Sequence, residues 1–476
     1  MSLSQSFKWS FLSELTAKAI QPLVFLILAR FLGPSDFGVM AAALMIISFS
    51  QIFWEAGLGK ALIQRQTEIE EAANAAFIIN LILGAVIASL LFLSAKFFAS
   101  VFFQDERVTV VLQVMTLQIL IGAVSSVQQA LLRKEMKFKK LFWVRLGTVG
   151  VPALISIPLA FEGMGYWALV AGTLIGELIQ AILLWNMSSW RPYFSFDQQT
   201  AKEISRFGSW VAVSGLLGWF YLWADSLVVG IYLGSDELGL FRFGNQFSIM
   251  IYALLFGPVV PVLYSHLSKM RGDTEKIRRA TKVVIQSLTL IAVPSSLFIF
   301  SLHEQIADVL FGDSWEGLGL VIGVMSLMHG LSWVVGMNGE VYRAMGRPSY
   351  ETIVTGLMLI IYLIAYLYSI EYGLQTFLWV RLILGAVTLI VHLIVLWKLL
   401  SIDLVSSIFY VIKIFTLTCL ILVITHFLVI ENIDGVLSQI LFGGTISFTI
   451  ILVALFFLEK ENILKNIRWI VQAKAL

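Results

Sequence analysis

Long runs of apolar residues, separated by short polar stretches, recur along the whole 476-residue chain. A helix that crosses the hydrocarbon core of a bilayer needs about 20 mostly apolar residues, and the chain offers fourteen such segments. They are numbered 1 to 14 in chain order and run over residues 10–32, 37–58, 74–95, 108–132, 141–161, 165–187, 206–233, 239–267, 283–302, 317–342, 350–370, 373–397, 404–430 and 436–458. The pattern therefore predicts an all-α, polytopic membrane protein with about 14 transmembrane helices.

Composition agrees with this interpretation, and the short polar stretches argue against an appended soluble enzyme. Hydrophobic residues make up 59% of the chain, charged residues make up 13%, and the mean hydropathy is +0.90. The longest hydrophilic stretch, near 187–206, is too short for a folded soluble domain, so the activity must reside among the helices and short loops. The first apolar stretch contains Glu14 and Lys18 and lacks a cleavage pattern, so we expect it to remain as segment 1.

The distribution of basic residues predicts the topology. Twenty-four of the 32 Lys and Arg residues fall in the two termini and in alternate loops, all on one side of the predicted membrane. The loops on the other side carry only Lys96 and Arg107 as basic residues and are rich in acidic ones. By the positive-inside rule, both termini are cytoplasmic.

An internal repeat organises the first twelve segments. The two related stretches are FLGPSDFGVM at 31–40 and YLGSDELGLF at 232–241. They match Gly33 with Gly234 and Gly38 with Gly239, and each follows the first segment of a six-segment set. Six is an even number of crossings, so the two sets are parallel repeats, and such repeats hold substrate between them.

The repeat defines the predicted domains. An N-terminal lobe covers residues 1–205 with segments 1 to 6, and a C-terminal lobe covers residues 206–400 with segments 7 to 12. Residues 401–476 form two extra helices and a cytoplasmic tail.

Several short motifs carry a resemblance to a known family. They include ARFLGPSDFGVMA at 29–41, GLGKALIQR at 57–65, GYWALVAG at 165–172, ADSLVVGIYLG at 224–234 and RAMGRPS at 343–349. In number and order these strings resemble the polysaccharide exporters of the MATE-like flippase superfamily, in the branch of the colanic-acid and teichuronic-acid exporters. The resemblance implies a multi-pass flippase of the bacterial inner membrane that moves polyprenyl-diphosphate-linked oligosaccharide by alternating access. It also implies that segments 1, 2, 7 and 8 line the central cavity.

Two other functions stay open at this point. A multidrug or cation exporter of the same fold would favour an acidic and aromatic cavity. A non-transport scaffold of a polysaccharide assembly complex would need charged residues inside the membrane only where they stabilise the fold. Membrane lipids are expected partners, and a polysaccharide polymerase and glycosyltransferases are possible ones, whereas nucleic acid is not expected.

Ionisable residues inside the apolar segments are the candidates for transport chemistry, because a charge at the bilayer centre costs about 2.5–3.5 kcal/mol. The basic candidates for substrate binding are Lys18, Arg30, Arg242 and Arg381. The acidic candidates for ion coupling or gating are Glu14, Asp225 and Glu177.

Each candidate also has a structural alternative. Glu14 and Lys18 are four residues apart on one helix face, so they either neutralise each other or place Lys18 in the cavity. Arg30 and Arg242 lie near the outer edge of the membrane, where long side chains either reach water or contact an anion. Asp225 either exchanges a proton or holds two helices together.

Glu177 and Arg381 occupy equivalent mid-depth positions in segments 6 and 12, either as packing residues or as transport residues. Catalytic signatures are lacking in the sequence. GLGK at 57–60 lacks the spacing of a phosphate-binding loop, and the five histidines lack metal-ligand spacing. We therefore expect no enzyme activity, cofactor or metal, and we expect an ion gradient or the membrane potential to drive transport.

Overall fold

The computed structural model describes residues 3–473, except residues 56, 194, 258–266, 268, 269 and 271. The side chains of residues 3–8, 10, 11, 13–15, 17–19 and 467–473 also lie outside the described part. Glu14 and Lys18 are therefore placed only by the backbone of the first helix, and the predictions for their side chains fall outside the described residues.

The described chain is helical and contains no strand. Its α-helices are α1 (Leu3–Phe31), α2 (Pro34–Glu55), α3 (Leu58–Gln64), α4 (Ile69–Phe98), α5 (Arg107–Lys134), α6 (Phe138–Phe161), α7 (Tyr166–Met187), α8 (Gln198–Phe256), α9 (Thr274–Ser301), α10 (His303–Leu310), α11 (Leu318–Val334), α12 (Asn338–Ala344), α13 (Ser349–Ile370), α14 (Leu374–Leu400), α15 (Leu404–Thr425), α16 (Val436–Ser438), α17 (Thr445–Leu458) and α18 (Lys460–Ala473). Short π-helical stretches occur at Ala99–Phe103, His426–Ile430 and Gln439–Gly444. The all-α membrane fold predicted from the sequence is confirmed.

Twelve helical stretches in the described residues are long and apolar enough to cross a membrane. This number is close to the predicted fourteen, and the difference arises at α8 and α1. The 59 residues of α8 count as one stretch, although Gly234 interrupts them with φ 85° and ψ −174°. In α1 most side chains before Ile20 lie outside the described part, and the apolar stretch Ile20–Phe31 that remains is too short to cross a membrane by itself. The predicted segments 7 and 8 are thus joined through a bend at the repeat glycine.

The contacts divide the chain into two compact units, Met1–Arg242 and Phe243–Leu476. The lobe boundaries drawn from the repeat remain a prediction.

Small residues allow the helices of the first unit to pack closely. Ala72, Ala73, Ala75 and Ala76 of α4 are almost completely buried, in one cluster with residues of α3 and α5. Lipid tails are as apolar as leucine, so helices in a membrane associate through close packing and small interfacial residues. Large apolar side chains instead point outward, as for Leu93, which is 80% exposed.

An ion pair joins α15 to the turn between α17 and α18 within the second unit. Lys413 of α15 contacts Glu459 with Nζ 2.5 Å from Oε1, and the carboxyl group of Glu459 is fully buried between α17 and α18. Asn462 of α18 donates a hydrogen bond to the other carboxylate oxygen at 2.6 Å. A charged Lys413 inside an apolar helix is therefore explained by its partner.

Candidate functional site

The two repeat turns lie directly against each other within the first unit. A Cβ added at Gly38 would overlap the carbonyl oxygen of Ser235, and a Cβ added at Gly239 would overlap the carbonyl oxygen of Pro34. In the repeat alignment Gly38 corresponds to Gly239 and Pro34 to Ser235, so the contact is reciprocal. Only glycine permits this approach of backbone to backbone. We call this pair of turns the repeat contact.

A polar cluster surrounds the repeat contact. The guanidinium of Arg107 binds Asp105 with two nitrogens, Nε at 3.0 Å from Oδ1 and Nη2 at 2.7 Å from Oδ2. Arg107 also donates to the Ser35 hydroxyl at 2.6 Å and lies 3.5 Å from a carboxylate oxygen of Asp236. The Ser235 hydroxyl donates to Asp105 at 2.5 Å. Since Ser35 and Asp236 are matched positions of the repeat, one arginine contacts both copies.

Sequence reasoning missed this cluster. Arg107 was recognised only as one of two basic residues in the loops of its side of the membrane. A signal was available, because Arg107 follows Asp105 by two residues on the side of the predicted membrane whose loops are rich in acidic residues. Their partners, however, lie about 70 and 130 residues away along the chain, and only packing brings them together.

The polar cluster favours the ionised form of the Asp105 carboxyl group. Burial would raise the pKa of Asp105, but hydrogen bonds from Arg107 and Ser235, with the charge of Arg107, outweigh burial and hold this pKa below its ordinary value of 3.8. A carboxyl group whose pKa is lower in the folded state stabilises that state above its unfolded pKa. The stabilisation is lost as the pH falls through the folded pKa.

We therefore expect Asp105→Asn to lower the free energy of unfolding at neutral pH by about 1–3 kcal/mol. The difference from the unsubstituted protein should narrow as the pH falls below about 4. Thermal unfolding in detergent across a pH series measures this. Glu106→Gln, at an exposed neighbouring position, is the matched control. If the difference in unfolding free energy between Asp105→Asn and the unsubstituted protein does not change with pH, the lowered pKa of Asp105 is contradicted.

Arg242 stacks on an aromatic column of α8. Its guanidinium carbon lies 3.9 Å from the ring centroid of Trp223. Trp223 is itself stacked with Trp219, one helical turn away, at 6.4 Å between centroids. The indole nitrogen of Trp219 donates to the Ser48 hydroxyl of α2 at 3.0 Å. A cation over an aromatic face is attracted by the ring quadrupole, so the half-buried Arg242 packs on Trp223 within α8.

The other predicted residues lie at separate places. Asp225 is buried in α8, where its Oδ1 accepts a hydrogen bond from the Ser226 hydroxyl at 3.0 Å. Arg30 is exposed in the last turn of α1. Arg381 of the second unit donates to the Tyr366 hydroxyl at 3.3 Å and lies over the same ring. Their assigned roles remain predictions.

Glu177 lies in a polar cavity inside the first unit. The cavity has a volume of about 90 Å³ and is lined by α2, α5 and α7. Glu177 accepts hydrogen bonds from Gln118 at 3.4 Å and from Gln180 at 3.2 Å. Glu55 lines the same cavity and accepts a hydrogen bond from Gln51 at 3.2 Å. The sequence identified Glu177 but not its neighbours.

Comparison with known proteins points to polysaccharide biosynthesis. A family model described as "Polysaccharide biosynthesis protein" matches residues 27–319, more than half of the chain. The succinoglycan biosynthesis transport protein ExoT of Rhizobium meliloti is 28% identical over 68% of this chain and 65% of its own length, slightly less than two thirds. The teichuronic acid biosynthesis protein TuaB of Bacillus subtilis is 23% identical over 81% of this chain and 80% of its own.

Among solved structures, the lipid II flippase MurJ in an inward closed conformation is similar in fold. The TM-score is 0.74, with 13% sequence identity, over 94% of this chain and 99% of that one.

Proposed function

Because the chain belongs to the polysaccharide biosynthesis protein family, we propose that it flips a polyprenyl-diphosphate-linked oligosaccharide across the bacterial inner membrane. The sugar headgroup passes from the cytoplasmic to the outer leaflet by alternating access, for the synthesis of exopolysaccharide, O-antigen or a related cell-surface polymer. The names of the two relatives, which refer to polysaccharide synthesis and transport, support this substrate class. The lipid tail stays in the bilayer, and no covalent bond is made or broken.

The repeat contact is the observation that carries the mechanism. Alternating access requires a contact at one face of the membrane that is made in one state and separated in the other. Paired glycines meet without interlocking side chains, and the polar groups around Arg107 can exchange their partners for water. With cytoplasmic termini, as the charge pattern predicts, these turns lie at the outer face. We assign the repeat contact as the outer gate of the transporter.

The charged residues have distinct roles in this proposal. Arg242 on the Trp223 ring is the principal anion contact, and Lys18, Arg30 and Arg381 are further contacts for diphosphate or acidic sugar. Glu14, Asp225 and Glu177 serve coupling or gating, driven by an ion gradient or the membrane potential. Glycosyltransferases would supply the substrate, and a polymerase would consume it after transport.

Leaflet exchange in proteoliposomes tests the function. We expect the full-length protein to move a fluorescent polyprenyl-diphosphate oligosaccharide between leaflets at a rate at least about tenfold above protein-free vesicles, a barrier difference of about 1.4 kcal/mol. A cationic dye offered to the same vesicles tests the multidrug alternative. Dye transport without exchange of lipid-linked sugar would replace the flippase proposal with that alternative. If correctly folded protein shows neither sugar exchange nor dye transport, the scaffold alternative is favoured.

A further inference from the structure

An apolar groove lies in the first unit between α2, α4 and the first half of α8. It has a volume of about 650 Å³, and its lining continues from α4 into the π-helical stretch Ala99–Phe103. Of the fifteen described residues that line it, thirteen are apolar, seven of these are aromatic and none is charged. Phe53, Leu90 and Phe220 of the lining are exposed. The groove is therefore open to the surroundings of the helices, which in a membrane are hydrocarbon.

The two serines of the lining direct their hydroxyl groups to their own helices. Ser50 of α2 donates to the carbonyl oxygen of Ile47 at 2.7 Å, and Ser94 of α4 donates to the carbonyl oxygen of Leu90 at 2.6 Å. Serine hydroxyls in helices commonly bond to a carbonyl one turn back in this way. The groove thus offers a ligand mainly van der Waals contact, which favours a hydrocarbon chain over a sugar, a phosphate or a peptide.

Contacts between aromatic rings brace the walls of the groove. Phe49 of α2 packs edge-on against Trp219 of α8 with 4.8 Å between the ring centroids, and the Trp219 indole donates to the Ser48 hydroxyl. Phe98 and Phe102 pack at 5.6 Å where α4 passes into its π-helical stretch. Helices of this π type occur frequently at functional sites. Lipid is as apolar as the groove, so affinity for a chain must come from close packing on these braced walls.

The volume of the groove indicates how much chain it holds. A cavity of about 150 Å³ holds benzene, a six-carbon ring. At the same ratio, the groove of about 650 Å³ holds roughly twenty-five carbon atoms, or about five isoprene units. An ordinary phospholipid acyl chain is shorter than this. A polyprenyl chain is long enough to fill the groove, and its methyl branches widen it to match a space between three helices.

The groove shares a residue with the aromatic column that supports Arg242. Trp219 lines the groove, and the same ring stacks with Trp223, on which the Arg242 guanidinium packs. A lipid whose diphosphate contacts Arg242 therefore has its chain beginning two rings away from the groove. An apolar cavity with one nearby polar group that fixes the orientation of the ligand is typical of small-molecule sites. Together, the cation and the uncharged groove match a lipid with an anionic head and a long hydrocarbon tail.

We infer that the groove between α2, α4 and α8 binds the polyprenyl chain of the substrate while Arg242 binds its diphosphate. The inference rests on the proposed flippase function and deepens it, because it assigns a site to the tail as well as to the headgroup. The groove is open to the bilayer, so the tail remains among hydrocarbon during transport. The transporter then recognises its lipid carrier through the chain and not through the sugar alone.

Photo-crosslinking of the purified full-length protein tests the site. The probe is a polyprenyl diphosphate lipid with a diazirine in its first few isoprene units, and we expect label on α2, α4 and the first half of α8. Ser94→Phe and Ile87→Phe each place a ring in the groove and should lower this labelling at least about tenfold. Leu93→Phe, at a position on the same helix that is 80% exposed and outside the lining, is the matched control. Monodispersity and thermal unfolding identify any variant that fails to fold.

Dependence of leaflet exchange on chain length tests the same site without a substitution. Lipids with the same headgroup are compared at equal surface concentration in the vesicles. The apparent affinity should weaken about tenfold when the chain is shortened from about five isoprene units to about two. It should change little when the chain is lengthened beyond the part that the groove holds.

A phospholipid that carries the same diazirine is the competing probe. If it labels the groove as strongly as the polyprenyl lipid, the groove is a site for ordinary acyl chains and the inference is overturned. Exchange that does not depend on chain length, with label outside the groove, would also overturn the inference but leave the flippase proposal standing. Polyprenyl labelling of the groove without any leaflet exchange would support the tail site and count against the flippase proposal.

Discussion

Gly38→Ala is expected to reduce leaflet exchange by about tenfold or more while leaving a folded protein. The added methyl group would overlap the carbonyl oxygen of Ser235. The backbones of the two repeat turns would then have to separate. Overpacking of this kind costs about 1–3 kcal/mol, and each 1.4 kcal/mol changes an equilibrium tenfold. In the proposed mechanism this cost falls on the closed outer gate, so the transporter should spend less time in the state that loads substrate from the cytoplasm.

The reciprocal geometry makes the prediction specific. Gly239→Ala should have a similar effect, because its methyl group would overlap the carbonyl oxygen of Pro34. Two matched controls are available, since a Cβ at Gly33 or at Gly218 meets nothing within 4 Å. Accessibility of a cysteine placed at Ser35 to a membrane-impermeant reagent reports the gate directly, and we expect faster labelling in both gate variants. Wild-type exchange in Gly38→Ala and Gly239→Ala would remove the repeat contact from the mechanism.

Arg242→Ala is expected to reduce exchange of a diphosphate-linked sugar by about ten- to one-hundred-fold. The guanidinium lies 3.9 Å from the Trp223 centroid, and this contact would hold it in place for an arriving anion. Hydrogen bonds to a charged group contribute about 1.5–3 kcal/mol, and the planar guanidinium can bind two phosphate oxygens together. Arg242→Lys keeps the charge but loses this geometry, so we expect an intermediate rate.

The measurement compares initial rates of exchange over a range of substrate concentrations. A lost anion contact should act mainly on the apparent affinity for the diphosphate lipid and much less on a neutral lipid of the same tail. Arg145→Ala, at an exposed position on α6, is the control for removing an arginine from a membrane helix. If Arg242→Ala lowered both rates equally, the residue would serve packing on Trp223 rather than substrate binding.

The sequence indicated the glycines of the repeat contact without indicating that they touch. The repeat alignment matched Gly38 with Gly239 because the two stretches carry glycine at the same position. It could not show that the two glycines face each other, since a local pattern records what one backbone requires and not what lies across from it. The Arg107 cluster was missed for the same reason. Its members Ser35, Asp105 and Ser235 come from three distant parts of the chain.

For the candidate charged residues, too, the sequence identified the residue and only the packing showed its surroundings. Glu177 was visible as a carboxyl group in an apolar segment, but Gln118 and Trp54 are ordinary residues until α2 and α5 pack beside α7. The cavity that makes them a site is a property of the packing. Arg242 was expected to choose between water and an anion, whereas the structure shows a third contact, the face of Trp223.

The sequence by itself determined the membrane class, the approximate number of spans, and the two matched glycine turns. The first two follow from local physics, because the thickness of the bilayer fixes the length of an apolar helix, and the third follows from the similarity of the two stretches. Only the tertiary structure decided that α8 continues through the bend at Gly234, that the two turns meet, and that Glu55 and Glu177 share a cavity. Those features depend on which helix faces pack together, and many apolar faces are equally compatible with lipid when each helix is considered alone.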